Sequence, residues 1–222
     1  QLNENIDLLI ICNPNNPTST AISRNDMRRI LDTCKEYGIY VLVDETYVEF
    51  ADNLEEITAI PLTRCYNNII ILRGISKFFA APGLRLGYAV CGNRDLIKDV
   101  VSRQDPWSIN TLASIAGEIM FTDEDYIHQT RSLISSERKR ICEKLDEFKG
   151  LTYYPPKANF ILLKILKEDV TARDVFEAAI QKKLMIRDCS DFPFLDSRYF
   201  RFCIMMPEKN DELLEVIKSL LG

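Results

Sequence analysis

The sequence has few of the residues that support metal, disulfide, membrane or nucleic-acid functions. It holds one histidine, His128, so we expect neither a histidine-based metal site nor a catalytic triad. The seven cysteines are scattered without a C-x-x-C pair, which is typical of reduced thiols in a cytoplasmic protein. No apolar run approaches the length of a membrane span. The net charge of −5 gives no electrostatic reason to expect nucleic acid or an anionic membrane as a partner.

The first half of the chain alternates short apolar runs with helical patterns. Ser23 precedes a helical repeat over residues 23–37, and Gly38 follows it as a stop signal. Alternation of this kind predicts an α/β fold with a mostly parallel sheet whose strands are buried on both faces. The predicted strands are residues 7–12, 39–43, 69–72 and 87–91.

The pattern changes in the second half. A helix over residues 111–121 and a long charged helix over 123–148 precede a smaller α+β arrangement. We place a domain boundary within the long helix, which gives domains of residues 1–125 and 126–222. The predicted elements of the second domain are strands 159–165 and 199–204 and helices 172–183 and 210–221.

Polar residues follow three of the apolar runs, at the point where each predicted strand ends. In open α/β sheets, ligands bind beyond the carboxyl ends of the strands. We therefore expect one site assembled from several strand ends: Asn16, Asp44, Tyr47, Lys77 and Arg85.

Four motifs in this order carry a family resemblance: N-P-N-N-P-T at residues 13–18, D-E-x-Y at 44–47, S-K at 76–77 and R-L-G-Y at 85–88. The sequence resembles the fold-type I enzymes of aminotransferase class I/II, which depend on pyridoxal phosphate (PLP). Within that class it is similar to the branch of histidinol-phosphate aminotransferase and threonine-phosphate decarboxylase. The resemblance implies the fold-type I large domain, followed by a small C-terminal α+β domain.

The resemblance assigns the central roles to two residues. Lys77 would be the catalytic lysine, which binds PLP covalently and then moves the substrate Cα proton. Asp44 would pair with the pyridine nitrogen of PLP. The alternatives are a solvated surface lysine for Lys77 and a helix N-cap for Asp44. Glu45, which is adjacent, could be taken for the functional carboxylate.

Four further residues would hold the cofactor. The resemblance implies that Tyr47 and Asn16 hydrogen-bond the ring oxygen of PLP, and that Ser76 and Arg85 bind its phosphate. Asn16 could also serve only the turn chemistry of its loop, and Tyr47 could be a core residue.

The sequence departs from the family pattern at two positions. Gly74 stands where the family often has a serine or threonine that contacts the phosphate, and Ser19 stands where N-P-T-G would place glycine. We expect these departures to weaken cofactor affinity.

Three residues of the second half are candidates for the substrate. Arg201 resembles the arginine that binds the substrate carboxylate. Arg187 resembles a second arginine of the phospho-substrate branch, and its alternative role is an ion pair with Asp188 or another acid. Asn159 is a further candidate for the substrate pocket. Two arginines in one pocket would suit a substrate with two anionic groups.

The resemblance favours a transaminase for an amino acid that carries a phosphate. The alternatives are a threonine-phosphate decarboxylase and a non-catalytic fragment. In the family, a long N-terminal stretch with a phosphate-binding loop precedes the first strand seen here, so we expect this chain to be a C-terminal fragment of a longer enzyme. Family members are commonly homodimers, and we expect one here.

Overall fold

The computed structural model describes residues 2–222, and the chain divides into two compact units. The first unit comprises the chain up to Pro14 together with Ala21–His128, and the second comprises Asn15–Thr20 together with Gln129–Gly222. No local sequence pattern indicates that the short segment 15–20 belongs with the C-terminal residues. The division of roles between a cofactor domain, 1–125, and a small domain, 126–222, stays a prediction.

The first unit contains a four-stranded sheet. Its strands are β1 (Leu8–Cys12), β2 (Tyr40–Asp44), β3 (Ile69–Gly74) and β4 (Gly87–Cys91), in that spatial order. The first three strands run parallel, and β4 runs antiparallel to β3. The mostly parallel α/β fold is therefore confirmed.

Two helices lie between these strands, and three follow β4. They are α1 (Arg24–Glu36), α2 (Leu54–Ile57), α3 (Arg94–Arg103), α4 (Thr111–Met120) and α5 (Glu124–Leu145), which contains the boundary between the units. Short 3-10 helices cover Val48–Phe50, Ile60–Arg64 and Pro82–Leu84. The Ser23 hydroxyl caps α1 by accepting a bond from the Asp26 backbone N at 3.1 Å, and Gly38 follows with φ of +74°.

The core of the first unit lies on one face of the sheet. Inward residues of β2 and β3 are buried against α1 and the 3-10 helix at Ile60–Arg64; they are Val41, Val43, Ile69 and Ile71. The burial predicted for the strands is wrong for β1 and β4, because Leu8 and Ile10 are 45% and 66% exposed and Tyr88 is 41% exposed. The helix α1 covers one face only. On the other face, α3 and the sheet line a cavity of about 470 Å³.

The second unit contains an antiparallel sheet flanked by helices. Along the chain its elements are β5 (Leu151–Tyr153), β6 (Phe160–Ile165), α6 (Ala172–Gln181), β7 (Arg187–Asp188), β8 (Tyr199–Cys203) and α7 (Pro207–Leu221). The spatial order is β5-β6-β8-β7. The predicted small α+β arrangement is confirmed, although β5 and β7 were not predicted.

Residues 2–222 contain no cluster of three or more histidine, cysteine or acidic side chains that could hold a metal ion. Over the same range, no helix combines the length and the apolar character that crossing a bilayer requires. All seven cysteines are free thiols.

Candidate functional site

Asp44 is the last residue of β2, a central strand of the first sheet. In the sheet register it lies between Cys12 of β1 and Leu72 of β3. Its Oδ1 accepts a bond from the Thr46 backbone N at 2.9 Å and another from the Thr46 hydroxyl. The next helix is the 3-10 turn at Val48–Phe50, with Tyr47 as its N-cap, so Asp44 closes a local turn and does not cap that helix.

Glu45, the adjacent carboxylate, is bound within the protein. Its side chain is fully buried, and its Oε2 accepts bonds from Arg73 Nε at 3.0 Å and Arg73 Nη2 at 2.8 Å. The Ala59 backbone N and the Thr58 hydroxyl also donate to it. Burial alone would lower the pKa of the Arg73 guanidinium, but the Glu45 and Glu49 carboxylates together raise it above its ordinary value. Glu45 is therefore a structural acid, and Asp44 is the better candidate for a ligand.

A cavity of about 400 Å³ adjoins Asp44 at the carboxyl ends of β2 and β3. A second cavity of about 180 Å³ lies beside it and shares Thr46, Arg73, Gly74 and Tyr88 with the first. Of the cofactor-binding residues predicted in this unit, Asp44 is the one found among the described residues that line these cavities. Lys77, Tyr47, Ser76 and Arg85 lie outside both linings.

Lys77 lies in the loop that joins β3 to β4. Its side chain is exposed, although Ile75 on one side and Phe78 on the other are fully or almost fully buried. Two residues of this loop, Ala80 and Arg85, adopt the left-handed conformation with φ of 50° and 55°. Non-glycine residues in that region cost free energy and concentrate at functional sites. The loop therefore presents the Lys77 amine to solvent from an anchored, strained backbone.

Aromatic rings anchor this loop. The Phe78 ring lies 5.2 Å from Phe50 and 6.1 Å from Tyr126, measured between ring centroids, and the Tyr126 hydroxyl donates to the Phe78 carbonyl at 2.8 Å. Phe79 stacks on Tyr126 at 5.7 Å and meets Phe121 at 5.5 Å. These contacts fix the two residues that directly follow Lys77.

The remaining cofactor candidates of the first unit differ in exposure. Tyr47 and Ser76 are half-buried, and Arg85 is exposed. The Arg85 guanidinium donates to the Pro82 carbonyl at 3.0 Å, which folds the side chain back over its own turn. The two roles considered for Tyr47, on the cofactor and in the core, both stay predictions.

In the second unit, Asn16 and Arg201 are hydrogen-bonded to each other. The Arg201 guanidinium donates to Asn16 Oδ1, and its central carbon lies 5.0 Å from the Phe160 ring and 5.8 Å from the Phe192 ring. The two aromatic faces and the amide oxygen hold the guanidinium in place. The sequence placed both residues in ligand binding but could not show this bond, which joins positions 185 residues apart.

Ser19 explains how this chain tolerates a residue other than glycine in its loop. Its φ is +60°, in the region that favours glycine, and it is fully buried. Its hydroxyl accepts a bond from the Ala158 backbone N at 2.9 Å, and its carbonyl accepts one from the Lys157 N at 2.7 Å. These bonds offset the strain and attach the loop that carries Asn16 to the segment just before β6.

Arg187 forms an ion pair with a neighbouring acid, which was the alternative role predicted for it. Its guanidinium pairs with Asp191 at 2.5 Å rather than with Asp188, and both partners are more than half exposed. It lies opposite Arg201 in the register of β7 and β8. Burial is the main cause that raises the pKa of the neighbouring Cys189 thiol to about 11, so this thiol is neutral at pH 7 and offsets neither arginine charge.

Asn159 carries a buried oxygen without a partner. Its Oδ1 has no hydrogen bond within residues 2–222, although its backbone carbonyl accepts from the Ile204 N at 2.8 Å. Buried acceptors are nearly always satisfied, so this amide is open to a donor from a ligand or water.

Sequence reasoning missed Arg73 as a residue of this region. The signal was present, because an arginine ends the apolar run Ile69–Leu72 and a glutamate follows the apolar run of β2. Charges at such positions require partners of opposite sign.

Comparisons with known proteins agree on one family. The family model described as "Aminotransferase class I and II" matches residues 1–217. The threonine-phosphate decarboxylase of Salmonella typhimurium is 34% identical over 220 residues, which are 99% of this chain and 59% of that protein. The histidinol-phosphate aminotransferase of Dehalococcoides mccartyi is 38% identical over 214 residues, which are 96% of this chain and 56% of that protein.

The solved structures give the same result. The crystal structure of the histidinol-phosphate aminotransferase from Clostridium acetobutylicum matches with a TM-score of 0.91 and 29% identity, covering 98% of this chain and 64% of that one. The chain thus spans less than two thirds of the length of each of these relatives.

Proposed function

Because the chain belongs to the aminotransferase class I and II family, we propose that it carries the cofactor site of a PLP-dependent enzyme. One observation carries the proposal beyond the family match. Of the two adjacent carboxylates after β2, Glu45 is bound by Arg73, while Asp44 lines an open cavity at the strand ends. A carboxylate in that position suits the protonated ring nitrogen of PLP.

The side chains of the first unit fit the cofactor chemically. The exposed Lys77 amine can bind the PLP aldehyde covalently, and Asp44 can pair with the ring nitrogen. Tyr47 offers a phenol for the ring oxygen, and Ser76 and Arg85 offer a hydroxyl and a guanidinium for the phosphate. In the second unit, Asn16 is proposed for the ring oxygen; Arg201 already occupies its Oδ1, so its amide N–H groups remain as donors.

Bound PLP supplies an electron sink for bonds broken at the substrate Cα. The chain supplies the proton chemistry. The Asp44 carboxylate keeps a proton on the ring nitrogen, and Lys77 Nζ, once released, takes and returns the proton at the substrate Cα. Arg201 binds the substrate carboxylate, held in its orientation by Phe160 and Phe192.

The reaction proposed first is transamination of an amino acid that carries a phosphate, as a step in amino-acid metabolism. The second candidate is decarboxylation of threonine phosphate. It is favoured by the 34% identity to the Salmonella decarboxylase over nearly the whole chain. Both reactions use the same cofactor residues and differ in which bond at Cα breaks.

A product assay separates the two reactions. The protein that carries this chain is incubated with threonine phosphate, and separately with histidinol phosphate plus 2-oxoglutarate. Carbon dioxide from the first mixture supports the decarboxylase, and glutamate from the second supports the transaminase. Unphosphorylated amino acids as the preferred substrates would contradict both candidates. Failure to bind PLP at Lys77 would contradict the proposed function itself.

Substitution of Arg187 tests the two-anion substrate. We expect Arg187→Ala to raise the KM of a phosphorylated substrate about tenfold, the lower end for a charge-assisted bond, because the side chain is half exposed. The KM of the unphosphorylated amino acid should stay unchanged. Arg198→Ala is the matched control, since Arg198 forms a similar exposed pair with Asp196. Equal effects on both substrates would leave Arg187 as an ion pair only.

We also propose a cytoplasmic homodimer. Seven free thiols favour a reducing compartment. On α4, Leu112, Ile115 and Ile119 are 73%, 53% and 63% exposed at the spacing of one helix face, and an exposed apolar face favours association. Light scattering on the purified protein measures the mass; a monomer at micromolar concentration would contradict the dimer.

A further inference from the structure

Arg73 and Glu45 join the two strand ends that carry the principal candidates. Glu45 directly follows Asp44 at the end of β2, and Arg73 lies on β3, four residues before Lys77. The Arg73 guanidinium donates two hydrogen bonds to Glu45 Oε2, from Nε at 3.0 Å and from Nη2 at 2.8 Å. The side chains of Glu45 and Arg73 are 0% and 10% exposed, so water competes little for this bond.

The pair belongs to a larger cluster. Arg73 Nη1 donates to Glu49 at 2.6 Å, and Arg73 Nη2 also donates to the Thr58 hydroxyl at 2.8 Å. Glu45 Oε1 accepts from the Ala59 backbone N at 2.6 Å. Each of the three guanidinium nitrogens thereby donates to a fixed partner, which is the geometry that arginine offers and lysine does not.

The backbone alone holds these strand ends together for only a short distance. The register of β2 and β3 ends with Asp44 opposite Leu72, followed by one bond from the Glu45 N to the Leu72 carbonyl at 2.9 Å. Beyond this point the chain after β2 leads into the 3-10 helix at Val48–Phe50, and β3 continues beside β4 through Gly74 opposite Gly87. The bond between the Arg73 and Glu45 side chains lies where these two strands diverge.

We propose that Arg73 is a positioning residue that sets the placement of Asp44 relative to the loop that carries Lys77. This inference rests on the proposed function, in which those two side chains act on opposite parts of one cofactor. Arg73 touches neither group directly. It holds Glu45 on one strand and, through its own backbone, the start of the Lys77 loop on the other.

A purely structural clamp is the competing explanation, and the second unit offers a matched control. There Arg140 grips the buried carboxylate of Glu137 and pairs with the exposed Asp211, an arrangement like that of Arg73 with Glu45 and Glu49. Replacing either arginine by lysine keeps the charge and loses the fork. Both variants should therefore lose stability, and only one should disturb the cofactor.

The test compares Arg73→Lys with Arg140→Lys. The readouts are the unfolding midpoint, the pH midpoint of the absorbance of PLP bound at Lys77, and the separate values of kcat and KM. We expect both variants to unfold at lower temperature. Only Arg73→Lys should shift the pH midpoint and lower kcat about 10- to 100-fold with little change in KM, as a misplaced catalytic group does. Glu49→Gln is a milder second variant, which loosens Arg73 while leaving Glu45 paired.

The outcomes are distinct. If Arg73→Lys and Glu49→Gln leave the pH midpoint and kcat at the values of Arg140→Lys, Arg73 is a structural clamp and the proposal is wrong. If the unchanged protein takes up no PLP at Lys77, the proposed function fails first, and the inference fails with it. A shift in either Arg73-directed variant, absent from Arg140→Lys, supports the positioning role.

Discussion

Lys77→Ala should lower turnover by about 10⁴-fold or more, because the variant loses both the covalent attachment of PLP and the base that moves the Cα proton. The side chain is exposed between buried neighbours, so its removal leaves the packing of Ile75 and Phe78 intact and the fold should be retained. The measurement is turnover together with mass spectrometry after borohydride reduction. The reduced cofactor should be found on the peptide of Lys77 in the unchanged protein and be absent from the variant.

Lys98→Ala provides the control. Lys98 is also an exposed lysine of the first unit, and it pairs with Asp95 on the surface of α3. The Lys98→Ala variant should turn over substrate normally and keep the reduced cofactor on Lys77. Normal turnover of Lys77→Ala, or an adduct on another lysine, would refute the assignment.

Asp44→Asn should lower kcat by about 10³-fold, with the loss in the chemical step. The amide is isosteric, and its oxygen can still accept the bond from the Thr46 N, so the turn after β2 should persist. An amide cannot hold the proton on the ring nitrogen, and the cofactor would then withdraw electrons less well. Tyr47→Phe is the milder comparison, which we expect to shift the pH midpoint of the bound cofactor more than the rate.

Single-turnover kinetics locate the loss, and the melting temperature reports on the fold. Asp95→Asn on α3 is the control for the loss of one acid from the same unit. Near-normal turnover of Asp44→Asn would show that this carboxylate serves only the turn that it closes with Thr46.

Local chemistry made much of the first unit predictable. Ser23 and Gly38 mark the ends of α1 by capping and by a left-handed backbone, and both act within a few residues. The strand β7 has two residues and no periodicity, and only its bonds to β8 define it. Helix α3 was not predicted, although Asn93 is a residue type that favours the N-cap position. In the structure its side chain accepts two backbone bonds at the start of α3.

The candidate site divides in the same way. Asp44 and Lys77 were predicted because each follows an apolar run that ends in polar residues. The bonds between Asn16 and Arg201, and between Arg73 and Glu45, link residues that are distant in sequence, so no local pattern could show them. The partner of Arg187 was foreseen as an acid, and the structure selects Asp191 because the chain turns between them.

The short segment Asn15–Thr20 has a consequence for any attempt to dissect the protein. It folds with the C-terminal unit although first-unit residues flank it on both sides, so that unit is not a contiguous stretch of chain. A recombinant piece that starts at Gln129 would lack the acceptors for the N–H groups of Lys157 and Ala158, which Ser19 supplies. Ala158 is fully buried, and a buried donor without an acceptor is costly. During synthesis, residues 15–20 leave the ribosome long before their partners do, so the second unit completes its hydrogen bonds only after Arg201 has been made.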